Sequence, residues 1–321
     1  MVALTGATGL LGRHILDKFI EENVETIALC RPEYPHGVRS GAFIKQADVL
    51  DPVSLREAFE GVDTVIHAAA FVSFNPRRRK KIFEVNVEGT RNVVDACLLL
   101  GIKNLVHISS VAALGRTPAH VITEESKWTG LMRSDYAESK YLAELEVFRG
   151  AEEGLNVSLV NPSVILSASQ RERSSGTLFN YVWKQRPFYT DGKLNYVDAR
   201  DVADAVFKLY RNPQPGEKFI LCAGQVTYQQ FFTMVAKALN KRAPSIKVGP
   251  FLSYWAGLAE EARATLLNGE PMVTRQSARM AMQSFAYSNA KAQSIGLTFR
   301  SLADTIAWSC GELMAEALPH K

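Results

Sequence analysis

The chain has 321 residues, of which 47% are hydrophobic and 22% charged. That composition excludes a disordered or fibrous chain, and the length suits one large domain or two smaller ones. The 37 basic and 33 acidic residues leave a net charge of +4, too small an excess to mark a nucleic-acid-binding surface.

In chain order, Met1 to Thr5 is a short apolar run that stops at Gly6. Leu10, Leu11, Ile15, Leu16, Phe19 and Ile20 then recur at helical spacing. Thr26 to Cys30 reads as a second strand, ended by Arg31 and Pro32, and Phe43 to Ala47 as a third. A helix opened by Asp51 and Pro52 runs to Phe59, and Thr64 to Ala68 is a fourth strand. A helix from about Lys80 to Leu99, a strand from Asn104 to Ser109, a helix from Asp135 to Glu153 and a strand from Val157 to Asn161 follow. Strands apolar on both faces that alternate with helices predict a parallel sheet covered on each side.

Beyond Pro162 the alternation fails. Residues 166–195 read as polar and loop-like, Val197 and Phe219 to Leu221 as strands, and the chain from Tyr228 onward as mostly helical. The expected architecture is α/β: a Rossmann doubly wound parallel sheet with a smaller, mostly helical C-terminal substrate lobe. Residues 1–165, rejoined by 196–225, form the larger part, and residues 166–195 and 226–321 the smaller lobe.

Cys30, Cys97, Cys222 and Cys310 are far apart, without metal-ligand spacing. Cys97 and Cys222 sit in apolar runs and read as buried thiols of a reducing compartment. No apolar stretch approaches the roughly 20 residues that span a bilayer. A core element at the start in place of a signal peptide makes cytoplasm the expected location.

Gly6, Gly9 and Gly12 lie between the first strand and the first helix, with Thr8, Leu10 and Leu11 among them. At that junction glycines permit a tight turn, and the helix N-terminus can face a pyrophosphate. A sheet of this kind that binds NAD carries a carboxylate at the end of strand two, to accept from the ribose 2′-hydroxyl. Cys30 and Arg31 stand there instead. Arg31 suits a 2′-phosphate, with Arg39 as a second contact, so NADP(H) is favoured and NAD(H) is the alternative.

Tyr-x-x-x-Lys occurs at Tyr136/Lys140, Tyr189/Lys193 and Tyr287/Lys291. Tyr136/Lys140 lies in a strongly helical segment, where positions i and i+4 share a face. It also follows a strand that ends in Ser109 and Ser110. Ligands of open parallel sheets gather beyond the carboxyl ends of the strands.

With these pieces in order, the sequence resembles the extended branch of the short-chain dehydrogenase/reductase superfamily. The matching motifs are the glycine loop, Asp48 to Asp51, Val65 to Ala70, Asn86 to Thr90, His107 to Ser110, Tyr136/Lys140 and Asn161 to Ser163. Later pieces, Tyr196 to Ala203 and Ile295 to Leu297, are similar too. The resemblance implies catalytic roles for Ser110 (orienting substrate), Tyr136 (acid/base) and Lys140 (holding the nicotinamide ribose and lowering the tyrosine pKa), with Ser109 structural. It further implies cofactor contacts from Asp48 and Val49 to adenine, from Ala68, Ala69 and Ala70 beneath the cofactor, and from Asn161, Pro162, Ser163 and Val164 near the nicotinamide. Asn86 would brace the Ala68–Ala70 loop.

The apolar set Phe71, Phe74 and Met132, with Ser73, suggests a lipophilic or mixed substrate. Val111 and Ala112 after Ser110 replace the acidic pair of the family's dehydratases. The reading is a dihydroflavonol-4-reductase-like or 3β-hydroxysteroid-dehydrogenase-like enzyme that exchanges a carbonyl and an alcohol by hydride transfer. The alternatives are a sugar-nucleotide epimerase and a non-catalytic dinucleotide sensor. Expected partners are a small-molecule substrate and a second copy of the chain, with no metal and no nucleic acid.

Other features take plain readings. Arg77 to Lys81 is a solvated basic run, and His67 and His107 are core histidines. Asp201 is an N-cap. Phe251, Leu252, Trp255 and Leu258 mark a helix face, available as a substrate lid or dimer surface.

Overall fold

The computed structural model describes residues 1–31, 41–73, 75–116, 121–130, 134–169, 174–249 and 285–317. Its centre is a seven-stranded sheet of β1 (Val2–Thr5), β2 (Thr26–Cys30), β3 (Phe43–Gln46), β4 (Thr64–His67), β5 (Asn104–Ile108), β6 (Asn156–Pro162) and, after three strands that belong to two smaller sheets, β10 (Glu217–Leu221). The spatial order is β10-β6-β5-β4-β1-β2-β3, and every pairing is parallel. The chain moves outward one way through β2 and β3, then returns past β1 to build the other half. Between β1 and β4 the direction of winding reverses, and there the strand ends part to leave a crevice for ligands.

Helices α1 (Leu10–Glu21), α2 (Pro52–Phe59), α4 (Gly89–Leu99), α5 (Asp135–Glu152) and α7 (Ala199–Arg211) cover the sheet, and the short α3 (Arg79–Phe83) packs on α5. One face carries Ile15, Leu16 and Phe19 of α1 with Val202 and Val206 of α7. The other carries Leu55 and Phe59 of α2 with Val93, Val94 and Val147. The inner strands are buried throughout, as a sheet covered on both faces requires, whereas edge strand β3 exposes Phe43 and Ile44.

Four expectations need correction. The helix predicted from Lys80 to Leu99 is interrupted by a π-turn at Glu84–Glu88, in which Asn86 alone is buried. Residues 166–195 are not simply a loop. They contain the end of β7 (Val164–Leu166), α6 (Gly176–Trp183), β8 (Phe188–Tyr189) and the start of β9 (Lys193–Asp198). Helix α6 is short and buries few side chains, but its Phe179 meets Phe231 of α8 (Tyr228–Leu239) edge-on at 5.6 Å. Of the two later strand-like pieces, only β10 joins the main sheet, beside β6. Val197 lies in β9, which pairs with β7 and β11 (Gly224–Thr227) in a separate three-stranded sheet.

Nor is Asp201 an N-cap. Asp198 caps α7 by accepting from the Arg200 backbone N–H. Asp201, one turn in and buried, accepts from the Arg300 backbone N–H at 2.9 Å and from its guanidinium. This clamp docks the entry to the helix Leu302–Ala317 onto α7. The stripe from Phe251 to Leu258 lies outside the described residues. Because a buried carboxylate that loses its cation is strongly disfavoured, Arg300→Ala should lower stability by about 2–4 kcal/mol in urea unfolding, and an unchanged midpoint would show that the clamp is dispensable.

Candidate active site

Seven chain segments gather beyond the carboxyl ends of the parallel strands. The first is the glycine loop after β1. Gly6 has φ +72, and a Cβ there would lie 2.7 Å from the Ala69 nitrogen. A Cβ on Gly12 would lie 2.0 Å from the Gly6 carbonyl oxygen. Both positions therefore require glycine, the first to let the loop meet Ala68 and Ala69, the second to seat α1 against the loop. Gly9 is the N-cap of α1 and supplies no side-chain cap, which leaves the first-turn N–H groups available to an anion. This cradle fits a dinucleotide pyrophosphate.

Arg31 follows β2 and is exposed. Asp48 and Val49 follow β3, where Asp48 turns back to accept from the Leu50 N–H and Val49 rests against Gly89. Asn92 donates to the Val49 carbonyl at 2.9 Å and holds this segment on α4. Ala68, Ala69 and Ala70 follow β4, and the Ala69 N–H donates to Thr5 Oγ1. The buried Asn86 side chain accepts from the Phe71 N–H at 2.7 Å and donates to the Phe71 carbonyl and Ser139 Oγ. The π-turn that displaces Asn86 from helical register thus ties the segment after β4 to α5. Ser73 is buried and accepts from the Asn75 N–H. Arg39, Phe74 and Met132 lie outside the described residues.

Ser110 follows β5 and caps a short 3-10 turn, Val111–Ala113. Helix α5 opens at its N-cap Ser134, which places Tyr136 in the first turn and Lys140 one turn later. The Ser110 hydroxyl and the Tyr136 phenol are neighbours. Burial pushes the Tyr136 phenol above its ordinary value, while the Ser110 hydroxyl and the charge of Arg116 pull it down. The Lys140 ammonium is buried and donates to the Ile108 carbonyl at 2.8 Å, with His107 Nε2 at 3.4 Å. Desolvation lowers its pKa from 10.5 to about 8, against the opposing pull of Glu144. His67 accepts or donates to Thr5 and Thr90, and burial with the nearby Lys140 charge holds it at about 3.

Behind this group lies a residue that sequence reasoning missed. Glu144, buried one turn beyond Lys140, accepts from Ser109 Oγ at 2.5 Å and from Asn161 Nδ2 at 2.6 Å. Asn161 also donates to the Ser110 carbonyl at 3.0 Å. The spacing Tyr136, Lys140, Glu144 on one helical face was visible in the sequence. Beyond Asn161, Pro162 ends β6, the Ser163 N–H donates to Leu221, and Val164 is exposed.

The other Tyr-x-x-x-Lys pairs lie apart. Tyr189 and Lys193 belong to β8 and β9, and Lys291 pairs with Glu217. The basic run is exposed, with Arg79 on Asp135 and Lys80 on Glu84. All four cysteines are free and buried, and among the described residues no helix is long and apolar enough to cross a membrane.

The lowered Lys140 pKa sets a sign for stability. The folded group releases its proton near pH 8 while the unfolded one holds it to 10.5, so the penalty is full below about 8 and fades as pH rises between the two. Lys140→Met should therefore be more stable than wild type at pH 7, by about 1–3 kcal/mol, with the gap narrowing toward pH 10. Urea unfolding at both pH values checks this, and a variant less stable at pH 7 would contradict it.

Comparison with known proteins places this site in a family. A family model described as the NAD dependent epimerase/dehydratase family matches residues 2–222. Sterol demethylase protein B of Methylococcus capsulatus is 27% identical over 80% of this chain and 80% of its own. A putative dihydroflavonol 4-reductase of Synechocystis is 26% identical over 95% of this chain and 93% of its own. The solved UDP-glucose 4-epimerase of Thermotoga maritima, 16% identical, covers 99% of each chain with a TM-score of 0.82, a likeness of fold. With its glycine cradle, its parallel sheet and a family match over more than half its length, the chain belongs to the NAD-dependent epimerase/dehydratase family, NAD(P)-dependent enzymes of the extended short-chain dehydrogenase/reductase type.

Proposed function

We propose that the protein is an NADP-dependent oxidoreductase that interconverts a carbonyl and an alcohol, with Ser110, Tyr136 and Lys140 as its catalytic residues. The observation that carries this reading is the meeting of Ser110 and Tyr136, one helical turn from a buried lysine. Bound NADPH would supply the hydride. The Gly6–Gly12 loop would hold the pyrophosphate, Asp48 and Val49 the adenine, and Ala68–Ala70 and Asn161–Val164 the remaining length of the dinucleotide.

Reduction of a carbonyl leaves an alkoxide that needs a proton, and the Tyr136 hydroxyl is placed to give it. Ser110 orients the carbonyl oxygen toward that hydroxyl. A phenol ordinarily titrates near pH 10, so a cation beside it eases proton release at neutral pH. Lys140, drawn from the Ile108 carbonyl to the nicotinamide ribose, would provide that charge. Asn86 and Glu144 act through others, by fixing the Phe71 backbone, Ser109 and Asn161.

Arg31, where a carboxylate would serve NAD, supports NADP(H). Reduction is also supported by the reductase name of the Synechocystis relative and by Val111 and Ala112 after Ser110, where the family's dehydratases carry acidic residues. The lobe division 1–165 with 196–225, against 166–195 with 226–321, belongs to this reading, as does a small-molecule substrate against Phe71 and Ser73. The four buried thiols support a cytoplasmic location. An epimerase is the second reading, favoured by the description of the family model, and it would be marked by protein that purifies with unreleased NAD.

Tyr136→Phe should abolish NADPH oxidation with a panel of aldehydes and ketones while binding NADPH as the wild type does, and full turnover in that variant would refute the assignment. Arg31→Asp should shift cofactor preference toward NADH by about tenfold or more, read as the ratio of the two dissociation constants, and an unmoved ratio would remove Arg31 from the cofactor site.

A further inference from the structure

Arg116 is only 9% exposed. Its Nε is buried without a hydrogen-bond partner, and no described carboxylate lies within ion-pairing distance of it. A buried guanidinium left in that state is disfavoured, so its place needs a reason. The position is built. Gly115 packs so tightly on the Lys127 carbonyl that a Cβ would lie 1.7 Å from it, and its N–H donates to the Ser126 carbonyl. This brings Arg116 beside Trp128, which stacks at 4.8 Å on Tyr141 of the catalytic helix α5.

On the other side, Ile122 bridges to Tyr287, with hydrogen bonds to Ala286 and from Ser288. The bridge sets the Phe285 ring 5.5 Å from the guanidinium, with Tyr287 close to it. Arg116 and Trp128 line one recess, together with Ala112 and Leu114 just beyond Ser110. The charge of Arg116 also reaches the Tyr136 phenol.

From this geometry we infer that Arg116 is a substrate-anchoring residue, and that the substrate class is an oxo acid whose carboxylate lies beside the carbonyl reduced at Tyr136. The inference rests on Tyr136 being the acid/base. A guanidinium is the side chain that matches a carboxylate with paired donors. Trp128, which also lines the recess, offers a flat wall to an apolar or aromatic body attached to the same carbonyl. A carboxylate there would take up the unpartnered Nε–H, and it would hold the reacting oxygen toward Ser110 and Tyr136.

The test is calorimetric titration of the full-length protein, saturated with NADP+, with benzoylformate (an aromatic 2-oxo acid) and with methyl benzoylformate, its uncharged match. Wild type should bind the acid about tenfold or more tightly than the ester, and Arg116→Met should lose that difference while binding the ester within about twofold of wild type. Arg116→Lys should keep part of the preference. Thermal unfolding of each variant separates a lost contact from a lost fold; if the methionine variant does not fold, wild type and Arg116→Lys decide. Equal binding of acid and ester by wild type, an undiminished acid preference in Arg116→Met, or no benzoylformate binding at millimolar concentration overturns the inference. A protein that fails to bind NADP+ refutes the reductase reading instead, and the same acid–ester comparison on the protein alone still decides the role of Arg116.

Discussion

The buried Glu144 carboxylate is the constraint on which the rest of the site depends. An acidic side chain inside a protein must find donors, and here two come from the ends of adjacent strands: Ser109 at the end of β5 and Asn161 in β6. Because Glu144 lies two turns beyond Tyr136 on α5, satisfying it fixes the rotation and height of that helix over the sheet. Tyr136 then meets Ser110, and Lys140 reaches the Ile108 carbonyl. Asn161 closes the loop by donating to the Ser110 carbonyl. One polar cluster therefore sets the position of all three catalytic candidates.

A second constraint acts on the cofactor side. Gly6 has no room for a Cβ against Ala69, and Gly12 has none against Gly6. The two loops at the centre of the crevice thus approach at backbone contact, and the groove between β1 and β4 is shaped by main chain. Main-chain walls offer N–H groups without side-chain mobility, which suits a ligand held along its whole length. The Asn86 π-turn carries the same order across to α5, through Phe71 and Ser139. Cofactor groove and catalytic helix are in this way two ends of one hydrogen-bonded framework.

How much of this could be read in advance follows from the range of each interaction. The six leading strands and the Tyr136/Lys140 face were legible because they rest on local period and spacing. The π-turn was not, since the apolar rhythm from Ile82 to Leu99 is that of an ordinary helix and the displacement appears only when Asn86 finds Phe71. Val197 and Ile220 look alike as short apolar strands, yet β9 pairs with β7 and β11 while β10 extends the main sheet. That choice depends on partners outside each run. Helix α6 was hidden because its few buried side chains gain meaning only against α8. Arg116 was silent for the same reason: Phe285 and Tyr287, which enclose it, come from far along the chain, and only the fold makes them neighbours.

The most direct measurement of the central claim is a crystal structure with NADP+ bound. The account predicts the pyrophosphate on the Gly6–Gly12 loop, the 2′-phosphate at Arg31, and the nicotinamide beside Tyr136 and Ser110. It also predicts that the Lys140 ammonium has left the Ile108 carbonyl for the nicotinamide ribose. A dinucleotide seated elsewhere, or a nicotinamide remote from Tyr136 with Lys140 still on Ile108, would contradict it.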